Sequence, residues 1–382
     1  MTPFDIEVPD AELADLRQRL RHTRWPDAQT VDDWSQGVPL EYLRELCTYW
    51  EQGYDWRVLE SRLNELPQFR TTIDGLGIHF VHVRSPHPDA FPLVLTNGWP
   101  GSLVEYLGVL GPLTNPTAYG GDAANAFHVV CPTLPGFGFS DKPVAPGWGV
   151  QRIAAAWLTL MGRLGYERYG AHGTDWGTSI TTSMGQQAPD RLAGIHLAPP
   201  IAAPDPATFD ELTAAERDAL DALAHAQKWE DGYSVEQATK PQTVGYSLVD
   251  SPAGLCAWIV EKFQSWTDCE GKPENVLTRD QILDNVTLYW VTRSGASSAR
   301  LYWESIRQVQ ERFTTATGDV VEVPAGCSIF PKENPRPSRR WAANRYTDIR
   351  YWNELDRGGH FAALEQPAAF VAELRAFFRL VR

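Results

Sequence analysis

The sequence predicts an α/β fold with a mostly parallel, doubly wound sheet, a helical cap inserted into it and a helical segment before it. Short apolar runs that end at turn residues alternate with helical stretches, as in parallel strands joined by crossover helices. The runs are PLVLTNGWPG, FHVVCPTLPGFG, YERYGAHGTDWG and LAGIHLAPP. This alternation of strands and helices stops after Pro200 and resumes only at VEVPAGCSIFP, after a long helical stretch rich in Trp.

The amino-terminal part has a different pattern. Between residues 10 and 65, apolar residues recur at intervals of three and four, which predicts helices. From Phe69, the segment FRTTIDGLGIHFVHV predicts a hairpin that turns at Asp74-Gly75 or at the glycine pair around it. Residues 1–90 are therefore predicted to be a helical segment followed by the first hairpin.

The rest of the chain is predicted to divide into a core and a cap. Residues 91–200 form the first part of the core, 201–318 the helical cap, and 319–382 the second part of the core. The chain closes with a strand at DIRYW, a glycine-rich loop RGGHF and an amphipathic helix from Pro367. Ligands of open α/β sheets bind outside the carboxyl ends of the strands. We therefore expect a cleft between that edge and the cap.

The composition limits the partners of the protein. A formal net charge of -14 argues against nucleic acid and anionic membranes, because both attract basic patches. The five cysteines are spread out, without the Cys-x-x-Cys spacing of metal or redox sites, so we expect reduced thiols. No leader peptide pattern and no run of about 18 apolar residues occurs, which predicts a cytoplasmic location.

The pentapeptide GTDWG at residues 173–177 carries the strongest chemical signal. It lies between a predicted strand and a predicted helix, like the nucleophile elbow of the α/β-hydrolase fold, where small residues flank a tight turn. Esterases of this fold have Ser at the centre, whereas Asp175 is a carboxylate and needs no base to act as a nucleophile. A carboxylate suits displacement at an epoxide or carbon-halogen carbon. The alternative is an Asp that only caps the following helix.

The turn NGWPG at residues 97–101 follows the strand PLVLT, where the fold places an oxyanion-hole donor. The backbone N–H groups of Trp99 and Trp176 are predicted to hold the oxyanion that forms when water attacks an ester on Asp175. The alternative is an ordinary Pro-Gly turn after a strand.

The loop RGGHF places His360 where the fold carries its general base. His172 is expected to pack beneath the elbow, and the remaining strand histidines are expected to be structural: His82, His128 and His196. The chain order of nucleophile, acid and histidine puts the acid after VEVPAGCSIFP, at Glu333. Three acids near the following strand are the alternatives: Asp348, Glu354 and Asp356.

With Asp175, Glu333 and His360 in place, the chain resembles the microsomal-type epoxide hydrolases nearly end to end. Matching segments include FDIEVPDAELADLRQRLRHTRWPD, HGTDWG, LPGFGFSDKP, NVTLYW, SSARLYWE, FPKE and GGHFAALEQP. The resemblance implies hydrolysis of an epoxide to a vicinal diol through a covalent ester on Asp175. It also implies that no metal or organic cofactor is needed.

The resemblance further implies two cap tyrosines that hold the epoxide oxygen. Tyr302 matches closely, whereas Tyr233 rests on a looser match and has Tyr246 as a rival. The chain departs from the family at Asn97, where relatives usually have His, and it is expected to lack their amino-terminal membrane anchor. It is thus similar to the soluble bacterial members, some of which act in natural-product biosynthesis. The resemblance to this family is the one reason to expect a homodimer.

Two other classes of function remain as alternatives. A haloalkane dehalogenase would share the Asp nucleophile and a neighbouring Trp, but it would have no use for two cap phenols. A catalytically silent binding or scaffold protein is conceivable because of Asn97. An esterase is disfavoured, since no Ser occupies the elbow.

Overall fold

The computed structural model describes residues 1–315 and 319–382. The amino-terminal segment contains a short strand and three helices: β1 Thr2–Pro3, α1 Asp10–Arg21, α2 Leu40–Gln52 and α3 Trp56–Asn64. The helices predicted between residues 10 and 65 are present as α1, α2 and α3, whereas residues 22–39 form no helix. In this segment, the side chains of Gln36 and Gln29 accept hydrogen bonds from the backbone N–H groups of Thr30 and Leu40, so local hydrogen bonds replace the helical ladder.

The predicted hairpin is confirmed. Its strands are β2 Gln68–Ile73 and β3 Leu76–Val83, paired antiparallel. Asp74 and Gly75 join them with φ values of 49° and 79°. Two positive φ values in a two-residue turn match the right-handed twist of the strands, which explains the Asp-Gly sequence.

The first part of the core alternates strands and helices as predicted. Its elements are β4 Phe91–Thr96, α4 Leu107–Thr114, β5 Phe127–Pro132, α5 Val150–Arg163, β6 Tyr169–Thr174, α6 Trp176–Gln187 and β7 Leu192–Ala198. Short 3-10 helices lie at Leu103–Tyr106, Pro116–Tyr119, Ala123–Asn125 and Pro189–Arg191.

A long helical region follows, as the sequence predicts. After a 3-10 helix at Pro206–Glu211, its helices are α7 Ala214–Trp229, α8 Gly232–Thr239, α9 Pro241–Asp250, α10 Pro252–Trp266, α11 Arg279–Val291 and α12 Gly295–Thr314, with a 3-10 turn at Pro273–Asn275. The predicted end of the cap, at residues 316–318, lies outside the described residues. None of the described helices is long and apolar enough to cross a membrane.

The chain then returns to the sheet. The last elements are β8 Ala325–Ile329, α13 Arg339–Ala342, β9 Ile349–Glu354, α14 Ala362–Glu365 and α15 Pro367–Phe378. The strand order is β1-β2-β3-β5-β4-β6-β7-β8-β9, parallel from β5 to β9 and antiparallel from β1 to β5. Parallel strands end at the same edge, so the loops after β4, β6, β8 and β9 meet there.

Helix α15 lies directly on the sheet because three strands carry glycine beneath it. A Cβ at Gly194 or Gly326 would overlap the ring of Phe377, and one at Gly170 would overlap Phe378. Both phenylalanines are fully buried. These glycines therefore permit close packing of helix and sheet, which fixes the loop before α15.

The amino-terminal segment is attached to the cap. Tyr54 donates a hydrogen bond to Asp284 of α11 at 2.8 Å, and Tyr49 donates one to Asp280 at 2.7 Å. Arg19 reaches Asp250 at the end of α9. The segment thus stabilises the cap helices from outside.

Candidate active site

The elbow is a strained turn between β6 and α6. Asp175 has φ 53° and ψ -125°, a conformation that non-glycine residues keep only when their surroundings impose it. A Cβ at Gly173 would overlap the Gly177 carbonyl, and a Cβ at Gly177 would overlap the carbonyl of Thr96. The turn therefore requires both glycines, which explains the GTDWG pattern.

Asp175 stands at the N-cap position of α6 but does not cap it. Its side chain makes no capping hydrogen bond, and Oδ1 instead accepts the Trp99 backbone N–H at 2.8 Å. A Cβ at Gly98 would overlap the carboxylate, so the turn at 97–101 approaches it closely. The Trp176 N–H opens α6 beside Asp175, and among the described residues it makes no hydrogen bond to the carboxylate. The contacts thus contradict the simple capping alternative.

His360 lies between two carboxylates. Its Nε2 is 3.4 Å from Asp175 Oδ2, and its Nδ1 is 2.8 Å from Glu333 Oε1. The His360 backbone N–H donates to the Trp266 carbonyl of α10 at 2.9 Å, which holds the loop after β9 against the cap. Burial lowers the pKa of His360, but the charges and hydrogen bonds of Glu333 and Asp175 outweigh it and hold the pKa well above its ordinary value.

Glu333 is the acid that the structure brings to His360. It is buried after β8, and its Oε1 also accepts the Asn334 N–H at 3.1 Å. In the described part of the chain, the three acids that the sequence left as alternatives form no hydrogen bond or ion pair with His360. Asp348 pairs with Arg350, Glu354 accepts from the Trp352 indole, and Asp356 is exposed.

The two cap tyrosines meet above Asp175. Tyr233 comes from α8 and Tyr302 from α12, with ring centroids 5.7 Å apart. Burial, and then the charge of Asp175, raises the pKa of Tyr233, and burial raises the pKa of Tyr302 well above its ordinary value. Both phenols therefore keep their protons at neutral pH. Tyr246 is 69% exposed and does not line the cavity.

These residues enclose a cavity of about 140 Å³. Its polar floor is Asp175, His360 and Glu333, and its remaining wall is mostly apolar: Trp176, Pro199, Tyr233, Tyr302, Ile306, Val309 and Phe313. Trp99 and Trp266 pack around Tyr233 at 5.0 and 5.4 Å between ring centroids. The site thus fits a compact, largely apolar molecule with one polar atom facing the phenols.

Larger cavities are present, one of which shares Tyr233 with this cavity, and size alone would misplace the site. One of about 390 Å³ is lined by Trp148 and Trp303, and one of about 850 Å³ by Trp34 and Trp258. Neither contains Asp175, His360 or Glu333. Among the described residues, the perturbed titratable groups and the strained turn coincide only in the cavity of about 140 Å³, which makes it the candidate active site.

The other strand histidines form contacts away from the cavity. His172 is buried beneath the elbow, as predicted, and its Nδ1 lies 3.0 Å from Nδ1 of His196. His82 bonds the Tyr166 hydroxyl, and His128 accepts the Ser85 N–H. Burial lowers the pKa of each, so they are neutral structural groups near pH 7.

Sequence reasoning missed Glu105, Trp266 and Lys262. Glu105 is buried, and Asn97 Nδ2 lies 3.4 Å from its Oε1. Burial raises the pKa of Glu105 to about 8. Its one signal in the sequence is a lone acid within the apolar run LVEYLGVL. Trp266 and Lys262 carry no such signal, because they resemble ordinary residues of an amphipathic helix.

The fold and this site define an enzyme of the α/β-hydrolase fold with an aspartate at its elbow. A family model described as epoxide hydrolase N terminus matches residues 1–106, and one described as alpha/beta hydrolase fold matches residues 92–247.

Individual relatives extend the match over the whole chain. A protein named "Putative epoxide hydrolase" of Stigmatella aurantiaca is 52% identical over 100% of this chain and 86% of the relative. Epoxide hydrolase 1 of Sus scrofa is 35% identical over 99% of this chain and 88% of the relative. The solved structure of Aspergillus niger epoxide hydrolase has a TM-score of 0.89 at 32% identity, covering 100% of this chain and 96% of that one. The chain belongs to the epoxide hydrolase family, which confirms the resemblance drawn from the sequence.

Proposed function

We propose that this enzyme converts an epoxide and water to a vicinal diol through a covalent ester on Asp175. One observation carries the proposal. The Asp175 carboxylate has Oδ1 on the Trp99 N–H and Oδ2 3.4 Å from His360 Nε2, in a cavity that the two cap phenols share. A nucleophile, a base for water and donors for a leaving oxygen are thus within reach of one small molecule.

In the first step, Asp175 Oδ2 attacks an epoxide carbon and the carbon-oxygen bond of the ring breaks. The departing oxygen receives a hydrogen bond or proton from Tyr233 and Tyr302, which the raised pKa values keep protonated. A bare alkoxide would leave poorly, so these donors lower the barrier of ring opening. The product of this step is a hydroxyalkyl ester.

In the second step, His360 takes a proton from water, and the resulting hydroxide attacks the ester carbonyl carbon of Asp175. The oxyanion develops on Oδ1, beside the Trp99 N–H at 2.8 Å. The Trp176 N–H is the second proposed donor. Glu333 fixes the tautomer and orientation of His360 through their 2.8 Å hydrogen bond. Collapse of the intermediate breaks the bond to the diol oxygen, which takes the proton held by His360. The proton of the new Asp175 carboxyl then returns to the tyrosinate, which restores Asp175 and the phenol.

The charge on Asp175 couples the two steps. In the resting enzyme, the Asp175 carboxylate helps to raise the pKa of His360. Ester formation removes that negative charge, so the pKa of His360 falls and the imidazole becomes available as a base. The base is therefore activated when the ester that it must hydrolyse has formed.

The experiment is a single turnover of excess enzyme with styrene oxide in water labelled with oxygen-18. The ester mechanism transfers an unlabelled oxygen from Asp175 to the diol, while the label enters the Asp175 carboxylate, where peptide mass spectrometry detects it. Asp175→Asn serves as the control and should form no ester. A labelled diol from the first turnover would show direct attack by water and overturn the proposal.

The same assay separates the alternative functions. Chloride release from a chlorinated alkane, without diol from epoxides, would identify a haloalkane dehalogenase. Neither product from any probe, with unchanged binding in Asp175→Asn, would indicate a binding protein.

We also propose a small-molecule epoxide from natural-product biosynthesis as the physiological substrate, a cytoplasmic location and a homodimer. The five cysteines are free and buried, which supports a reducing compartment. Light scattering of the purified enzyme tests the homodimer, and diol formation from biosynthetic epoxides tests the substrate class.

A further inference from the structure

A lysine is buried beside one of the two cap tyrosines. Lys262 on α10 is 2% exposed, and its Nζ lies 4.3 Å from the ring centroid of Tyr233 and 5.6 Å from that of Trp266. Lysine is almost never buried without a partner, because removing an ammonium group from water is costly. The position of Lys262 therefore requires an explanation.

An ion pair explains only part of this position. Nζ lies 2.6 Å from Glu261 Oε2, and it donates to the Glu230 carbonyl at 3.4 Å. Glu261 keeps 27% of its side chain exposed, so the pair would form equally well nearer the surface. The ion pair with Glu261 explains how the charge of Lys262 is neutralised. It does not explain why the ammonium group lies over the ring of Tyr233.

The two tyrosines differ in this respect. Tyr233 stacks on Trp99 with a centroid distance of 5.0 Å and also receives the Lys262 ammonium. Tyr302 has indole neighbours, Trp176 at 4.8 Å and Trp99 at 5.7 Å, and no cation over its ring among the described residues. The cavity therefore contains one phenol with a cation against it and one without.

We propose that Lys262 is a positioning residue that makes Tyr233, rather than Tyr302, the proton donor to the epoxide oxygen. This assignment rests on the ester mechanism proposed above. Negative charge builds on the donating phenol as its proton moves, and a cation against the ring stabilises that charge. The ammonium group thus lowers the barrier in the first step, while Tyr302 holds the oxygen by a hydrogen bond.

The negative charges around Tyr233 explain why a cation beside its ring would assist proton release. Besides burial, the carboxylates of Asp175, Asp231 and Glu261 raise the pKa of Tyr233, and a hydrogen bond with Tyr302 lowers it. All three charges oppose proton release from Tyr233. Lys262 brings a positive charge to 4.3 Å from the centroid of this ring, and the same charge lowers the pKa of Asp231, which burial raises.

The test measures the rate of ester formation by rapid quenching and intact-protein mass spectrometry. Lys262→Met should slow this step about 10-fold to 30-fold, the range for a desolvated cation-π contact. Hydrolysis of the ester should not change. Lys262→Arg should restore most of the rate, because guanidinium also binds aromatic faces. Lys228→Met is the matched control, since Lys228 lies 4.9 Å over Trp229, a ring 67% exposed on the cap.

A double-mutant cycle separates this role from a structural one. In Tyr233→Phe, which has no proton to donate, adding Lys262→Met should cause no further loss in the rate of ester formation. In Tyr302→Phe, the full 10-fold to 30-fold loss should remain. A structural lysine would reduce the rate equally in both backgrounds, and that result overturns the assignment.

Two further outcomes are decisive. If Lys262→Met does not fold, Lys262→Gln replaces it in the same cycle, because Gln keeps a polar group and removes the charge. Wild-type enzyme that forms diol without any ester would overturn the ester mechanism and this assignment together. Normal ester formation with an unchanged Lys262→Met rate would overturn only the role of Lys262.

Discussion

The core wall and the cap wall of the active site are held by different interactions. On the core wall, turns at the ends of strands present Asp175, Glu333 and His360, and hydrogen bonds of 2.8 Å fix their directions. On the cap wall, Tyr233 and Tyr302 are held mainly by ring packing at centroid distances of 4.8 to 5.7 Å. Hydrogen bonds constrain angles closely, whereas aromatic contacts tolerate sliding.

The difference between hydrogen-bonded and ring-packed side chains indicates how each wall contributes to the two proposed steps. In the proposed mechanism, the core wall supplies the atoms that form and break bonds, so its side chains have no substitutes. The cap wall would stabilise charge on a leaving oxygen, and two donors would share that task. Substitutions in the core should therefore abolish a step, whereas substitutions in the cap should slow one.

The largest effect is expected for the base. His360→Gln should reduce ester hydrolysis roughly 100-fold to 10,000-fold, because the water loses its proton acceptor. Ester formation should continue, so the protein gains the mass of one epoxide. Quenched-flow mass spectrometry measures both rates. If both steps fell together, the separation of roles between the walls would be wrong.

The next effect concerns the phenols. Tyr233→Phe with Tyr302→Phe should slow ester formation about 100-fold to 1,000-fold, and each single change should cost less, since the other donor remains. Hydrolysis of an ester already formed should be unaffected. Single-turnover kinetics checks this, and a double variant as fast as wild type would remove the cap wall from the mechanism.

A smaller effect should follow from moving the nucleophile. Gly98→Ala places a Cβ against the Asp175 carboxylate, and a displacement of about 1 Å costs about 100-fold in rate. Gly232→Ala is the control, because it lies beside Tyr233 in open space. The turnover rate and the melting temperature should be measured for each of the two variants. Equal activity in the two variants would contradict a tightly constrained core wall.

The last effect is on the free energy of unfolding, and it concerns Glu105 at the back of the core wall. Burial raises the pKa of Glu105 to about 8, above its ordinary value, so the folded protein keeps a proton that the unfolded chain releases. This contribution is complete below the ordinary pKa of Glu and is lost as pH rises through about 8.

Urea unfolding at pH 5 and pH 9 tests that sign. Wild type should lose about 4 kcal/mol more of its unfolding free energy than Glu105→Gln does, because each of the three pH units between 5 and the pKa of about 8 contributes about 1.4 kcal/mol. Glu365, whose pKa burial raises to about 7, remains in both proteins and cancels in the comparison. Identical pH dependence in the two proteins would show that Glu105 is ionised in the fold.

The sequence alone determined the sheet and the core wall. Strands, helices and the Asp74-Gly75 turn follow from local periodicity and backbone preferences, and the structure confirms them. Asp175 stands directly after β6, and Glu333 and His360 lie in the loops after β8 and β9, so a parallel sheet brings them to one edge without further information. The structure adds their distances, while their catalytic roles stay predictions until they are tested.

Only the tertiary structure decided what surrounds them. The choice of Tyr233 over Tyr246 depends on how α8 and α9 pack, and the position of Lys262 depends on the face that α10 turns inward. Glu105 reaches the Asn97 turn through packing of the loop after β4. These contacts join residues far apart in the chain, and their energies depend on burial and neighbouring charges, which no local pattern encodes.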